Sequence, residues 1–187
     1  MNFLICLLFS ILMFFTNSCQ EKWPAYDTGY AVMNAYAKSY EKNENVRLLT
    51  NSAGFRGDYV NYLALDFLSY KTLNLEQARI FFVLGANNFL KAINQDLEIR
   101  PYLIDYPFPY HEITFGVSFV QKNGDYMDKE YINTISLHKG NIFYYYYNKT
   151  NNRLEELHSE PYPDAYKIVM GESLESNALK SEPSNNN

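Results

Sequence analysis

Between Glu112 and Val120 the chain alternates: Ile113, Phe115, Val117 and Phe119 are large and apolar, while Thr114, Gly116 and Ser118 between them are small or polar. Successive side chains of a strand point to opposite faces, so this spacing predicts a strand that buries one face only. The same parity runs on after the Asn123-Gly124-Asp125 turn. A second expected strand, Tyr131 to His138, meets a third, Ile142 to Tyr147, across Lys139-Gly140-Asn141. Whether the two-residue turn is Lys-Gly or Gly-Asn, Ile135 and Leu137 fall on the same face as Ile142, Tyr144 and Tyr146. A fourth strand, Arg153 to Ser159, follows the polar loop Asn148 to Asn152. Such a chain builds an antiparallel sheet whose apolar face must be covered.

The cover is the helix that opens at Asn74. Asn74 can cap, and Gln77 three residues on completes a capping box before ARIFFVLGANNFLKAI. The helix is expected over about Leu75 to Gln95, with Ile80, Val83, Leu84, Asn87, Leu90 and Ile93 on its buried face. A Tyr-rich helix from about Asp27 to Lys42 precedes it, carrying Tyr30, Met33, Ala37 and Tyr40 at helical spacing. Asn51 to Asp58 reads as a Gly/Ser/Asn loop. Tyr59 to Tyr70 suits a strand through Leu63, Leu65 and Phe67, or a helix through Val60, Leu63 and Phe67; strand is preferred. Pro163 to Met170 is expected to form a closing helix. The expected architecture is α+β, one long helix across one face of an antiparallel sheet of four to five strands. A cystatin-like or NTF2-like curved sheet is the nearest analogy, and analogy of fold does not carry function. Residues 27–172 form the single domain in this reading, and 173–187 a disordered tail.

Composition narrows the partners. The chain has 187 residues, 16 Lys+Arg against 21 Asp+Glu, and a net charge of −5. Basic residues are scattered singly rather than clustered, which argues against nucleic acid. The 18 Tyr and 21 Asn are what an AT-rich genome writes by default, so tyrosine-rich stretches weigh less here than elsewhere.

At the amino terminus, Phe3 to Phe15 reads FLICLLFSILMFF, and no charge appears before Glu21. Its 13 residues span about 20 Å as a helix, too short for a hydrocarbon layer about 30 Å thick, which is the pattern of a secretory leader. Thr16-Asn17-Ser18-Cys19-Gln20 follows. Ser18 and Cys19 resemble the lipobox of bacterial lipoproteins, although Thr16 and Asn17 depart from the usual residues there. The resemblance implies cleavage after residue 18, lipid on Cys19, a tether over 19–26 and a membrane-held protein. Gln20 at the second mature position implies the outer membrane. The alternative is ordinary cleavage that frees a periplasmic or secreted protein. Cys6 lies in the leader, so the mature chain keeps Cys19 alone and forms no internal disulfide. The stretch from Leu75 through RPYLIDYPF is similar to uncharacterised exported proteins of chlamydia-like bacteria, a resemblance that implies no activity.

Two aromatic groups are candidate binding surfaces. Phe143, Tyr145 and Tyr147 fall on the face opposite Tyr144, and the run Arg100 to His111 offers Tyr102, Tyr106, Phe108, Tyr110 and His111 among three prolines. Rigid rings supply contact area for an envelope protein or polysaccharide. The bland alternatives are a helix laid over the first group and a packed connection for the second. Catalytic patterns are fragmentary. His111-Glu112 begins like HExxH without its second histidine. Ser39-Tyr-Glu-Lys42 matches SxxK without its partner motifs, and Gly54-Phe-Arg-Gly57 echoes the GxxG of a KH domain. The sequon Asn148-Lys-Thr150 is usually inert in bacteria. No cofactor or metal is expected. The reading is a membrane-anchored, non-enzymatic binding module. The rivals are a small envelope-polymer hydrolase using Asp105, His111 or Glu112, and a secreted effector or ligand carrier.

Overall fold

The computed structural model of the chain describes residues 23 to 180, with side chains to residue 171. Residues 1–18, read as a leader, with 19–22 of the expected tether and residues 181–187, lie outside the described residues, and the rest of that tether from Pro24 on is helical. The elements are α1 (Pro24–Glu44), β1 (Val46–Arg56), β2 (Tyr59–Ser69), α2 (Leu75–Gln95), β3 (Ile113–Phe119), β4 (Thr134–His138), β5 (Asn141–Asn148), β6 (Arg153–Pro161) and α3 (Tyr162–Lys180). Short 3-10 turns at Arg100–Tyr102 and Tyr110–Glu112 interrupt the connection between α2 and β3. α3 runs past residue 173, where a tail was expected to begin, to Lys180.

The strands form one sheet in chain order, β1 to β6, and the fold is α+β. Six strands replace the expected four to five, and α1 and α2, at 21 residues each, replace the single long helix. The unforeseen strand is β1, which takes in most of the segment read as a loop. It is an edge strand whose Asn51, Ser52 and Gly54 show no apolar alternation, so its strandness comes from pairing with β2, from Val46↔Ser69 to Arg56↔Tyr59, rather than from its own pattern. All pairings are antiparallel except β2 with β3. A parallel pair needs a long crossover, and α2 with the proline-rich segment supplies it. The turn between β4 and β5 is Lys139-Gly140, flanked by the pair His138↔Asn141, with φ of 48° and 79°. Both central residues are thus left-handed, as a two-residue primed turn requires.

The three helices cover one face of the sheet. α1 lies on β1 and β2 and touches α2; α2 lies on β3 and β4; α3 sits beside α2 and β6. Phe115 is the hub of the core, its ring centroid 5.4 to 5.6 Å from those of Phe82, Phe67 and Tyr40. The capping box forms as expected: Gln77 N donates to Asn74 Oδ1 at 2.9 Å, and Asn74 N donates to Gln77 Oε1 at 3.2 Å. The buried face of α2 is rotated from the expected one. Ala78, Phe82, Val83, Gly85, Ala86, Asn87, Phe89 and Ile93 are buried, while Ile80 and Leu84 are 37% and 40% exposed. Large apolar residues also stand on the outer side of the helix, so bulk alone does not mark the side that packs. Its small residues do: a Cβ on Gly85 would lie 2.6 Å from Tyr40 Oη, and the Tyr36 hydroxyl donates to the Gly85 carbonyl at 2.7 Å.

An ion pair ties α2 to β6. Arg79 Nε stands 2.7 Å from Glu160 Oε1, which also accepts from the Tyr144 hydroxyl at 2.5 Å. Burial alone would raise the Glu160 carboxyl, yet the bonds from Arg79 and Tyr144 outweigh it and hold the group below the usual carboxylate range.

Candidate functional site: the open face of the sheet

Because Leu65, Phe67, Phe115, Val117, Ile135, Leu137, Ile142 and Tyr144 are buried under the helices, their strand neighbours project from the opposite face. The strand pairings lay those neighbours out in rows. One row runs Thr50, Asp66, Gly116, Ser136, Phe143, Ser159; the next runs Arg47, Leu68, Ser118, Thr134, Tyr145, Glu156. At about 4.8 Å between strands, each row is about 24 Å long. The middle is a floor of small hydroxyl residues, with Leu68 on one flank and Phe143 and Tyr145 on the other. Tyr147 continues the aromatic column along β5, and Tyr126 stacks on it with ring centroids 4.0 Å apart at 18°. The Tyr147 hydroxyl is fixed by Asn152. None of the described helices covers this face.

Asp66 occupies the floor. Its carboxylate leans over Gly116, where a Cβ would meet Oδ1 at 1.9 Å, so only glycine leaves it that position. Burial raises its pKa, and it has no hydrogen bond or ion pair with any described residue. Thr114, two residues from Gly116 on the same strand, has a buried hydroxyl that is likewise without a partner. Unsatisfied buried polar groups are uncommon in folded proteins, so the Thr114 hydroxyl marks this patch, and Asp66 on the neighbouring strand adds a carboxylate with no partner among the described residues. Sequence reasoning missed Asp66. The signal available was a lone acid at an outward position of Leu63-Ala-Leu-Asp-Phe67, within the strand preferred for that segment.

The proline-rich run does not join this surface. Phe108 is a correction to the expected binding set: it is 1% exposed, and the Asn94 side chain binds it on both sides, donating to the Phe108 carbonyl at 3.0 Å and accepting from its N–H at 2.6 Å. Tyr110 stacks on Tyr162 of α3 at 5.4 Å, with the His111 ring against its edge. Tyr106 is exposed under the Arg100 guanidinium, 4.6 Å from the ring centroid. Tyr102 lines a recess of about 300 Å³ with Trp23, Phe55 and Asp58. The run serves as the return leg of the crossover, which puts its apolar rings to work as packing.

Of the residues considered for hydrolysis, His111 and Glu112 are neighbours in the Tyr110–Glu112 turn. His111 Nε2 is 4.0 Å from Glu112 Oε1 and His158 Nε2 is 3.7 Å from Glu160 Oε2, the latter carboxylate already engaged by Arg79. Ser39 accepts a hydrogen bond from Asn43 at 3.3 Å rather than meeting Lys42. Gly54 to Gly57 runs from β1 into the hairpin turn, where Gly57 has φ of 59°. Among the described residues no group of three or more His, Cys, Asp and Glu is placed to hold a metal ion. A second cavity, a groove of about 480 Å³ between α1 and α2, is lined by Tyr36, Tyr40, Ile80, Phe81 and Leu84 with Glu44 at one end.

Compared with known protein families, curated proteins and solved structures, the chain matches none. No described helix is long and apolar enough to cross a membrane.

Proposed function

We propose that the protein is a lipid-anchored envelope module that binds a polysaccharide on the open face of its sheet. The observation that carries this reading is the pairing, on one uncovered surface, of a column of rings with a hydroxyl floor that holds an unpartnered carboxylate. Rings stack on the apolar faces of sugars, and hydroxyl and carboxylate groups take up the sugar hydroxyls; the same division of labour serves ligand sites generally. The leader and Ser18-Cys19 support attachment through lipid on Cys19, and Gln20 supports the outer membrane as the address. The role is binding rather than turnover in this reading, because the SxxK, HE and GxxG fragments lie on α1, the crossover and β1, and the sequence lacks the motifs that would complete them.

The test is co-sedimentation of the full mature chain with purified envelope polysaccharide, wild type against Phe143→Ser/Tyr145→Ser. Loss of two stacking contacts lowers apparent affinity about tenfold. Unchanged retention of the double variant, or no retention of the wild type, contradicts the reading.

A further inference from the structure

The elements alternate between two ends of the molecule, and one end is aromatic. α1 begins at the end where the β1–β2 hairpin turns, since Trp23, Pro24 and Ala25 share a recess with Phe55, Gly57 and Asp58. Tyr26 stacks on Phe55 with ring centroids 5.8 Å apart. The return leg of the crossover reaches the same end, where Ile104 N donates to the Val60 carbonyl at 3.0 Å and Tyr102 joins the recess. Trp23, Tyr26 and Tyr59 are 57%, 49% and 50% exposed, and Phe55 is 37% exposed. Four large rings from three elements, α1, β1 and β2, thus meet water at one tip. Trp and Tyr favour the headgroup zone of a bilayer, because each has an apolar body and a polar edge.

The chain itself says what lies next to this tip. Only three residues separate Cys19 from Trp23, so the four steps of a fully extended link reach about 14 Å at most. Lipid on Cys19 places its glycerol backbone at the bilayer surface, and the tip must then sit within that reach of it. We infer that the end bearing Trp23, Tyr26, Phe55 and Tyr59 is a membrane seat whose rings lie in the lipid headgroup zone. The inference rests on the anchoring proposed above. A lipid surface is the occupant, rather than a protein, because the attachment point fixes the bilayer there. β1 is 11 residues long, about 36 Å, so the opposite end, with Tyr126 and Tyr147, stands clear of the membrane and faces outward. The seat adds a second hold to the acyl chains and orients the binding face.

Trp23 is the only tryptophan in the chain, which makes the test optical. Full-length protein carrying Trp23→Phe with either Phe55→Trp or Tyr126→Trp is processed in bacteria and reconstituted into vesicles of phosphatidylethanolamine and phosphatidylglycerol containing brominated lipid. Circular dichroism checks each fold. The fluorophore introduced at position 55 should shift to shorter wavelength and lose emission to the bromines, while the one at position 126 stays open to aqueous quencher. Emission at position 55 unaffected by bromine, or both positions quenched alike, overturns the seat. The mass of the same sample reads the lipid on Cys19 separately. A lipidated chain with an unquenched tip sinks the seat and leaves the anchor; an unlipidated chain with a quenched tip does the reverse.

Discussion

Asp66 and Gly116 are the residues on which the open face turns. Gly116→Ala puts a methyl where the carboxylate lies, and overpacking of this kind costs about 1 to 3 kcal/mol. Urea unfolding should show that loss for Gly116→Ala and much less of it when Asp66→Ala is added. Equal losses in both backgrounds would mean the two side chains do not compete for space. Asp66 also carries a pH signature. Burial raises its folded pKa above the unfolded value, so its contribution to stability falls as pH rises from the ordinary aspartate value through the raised one. Asp66→Asn should therefore stabilise the protein at about pH 7 and do nothing near pH 3, where the carboxyl is protonated in both states. A variant less stable at neutral pH would reveal a partner for the carboxylate. Glu160 has the opposite sign, its contribution being kept in neutral solution and lost only as acid drives pH through its depressed value.

At the scale of elements, the features that announced themselves were those whose pattern is local. Asn74 and Gln77 mark the start of α2 because a capping box is made within four residues, and the β4–β5 hairpin follows from parity around Gly140. β1 stayed hidden because an edge strand with Thr50, Asn51 and Ser52 is stabilised by its neighbour and not by its own spacing. The parallel β2–β3 pair was hidden too, since strand direction depends on a crossover of more than forty residues. The buried side of α2 was misjudged because Ile80 and Leu84 are bulkier than the Ala78, Gly85 and Ala86 that contact the neighbours. Gly85→Ala tests this reading. Helix propensity favours alanine by about 1 kcal/mol, while the collision with the buried Tyr40 opposes it by about 1 to 3 kcal/mol. A net loss of stability in thermal melts is expected, and a gain would mean that α1 and α2 part without cost.

Taken whole, the molecule has a helical side, an open side, an aromatic tip and an opposite end, and these four directions suit the tethered binder proposed above. The column Phe143, Tyr145, Tyr147 was legible as an outward set from alternation alone, because parity needs no register. The floor beneath Leu68 and Asp66 was not, because it is assembled from strands that pair across the crossover. The tip was illegible for the same reason: Trp23 and Phe55 are thirty-two residues apart in the chain and meet only after β1 folds back along α1. Everything directional here depends on the attachment at Cys19. The deciding measurement is the mass of the amino-terminal peptide of the protein extracted from its native membrane. Diacylglycerol in thioether linkage on Cys19, with residues 1–18 gone, is the predicted result; an intact leader or an unmodified Cys19 thiol would contradict it.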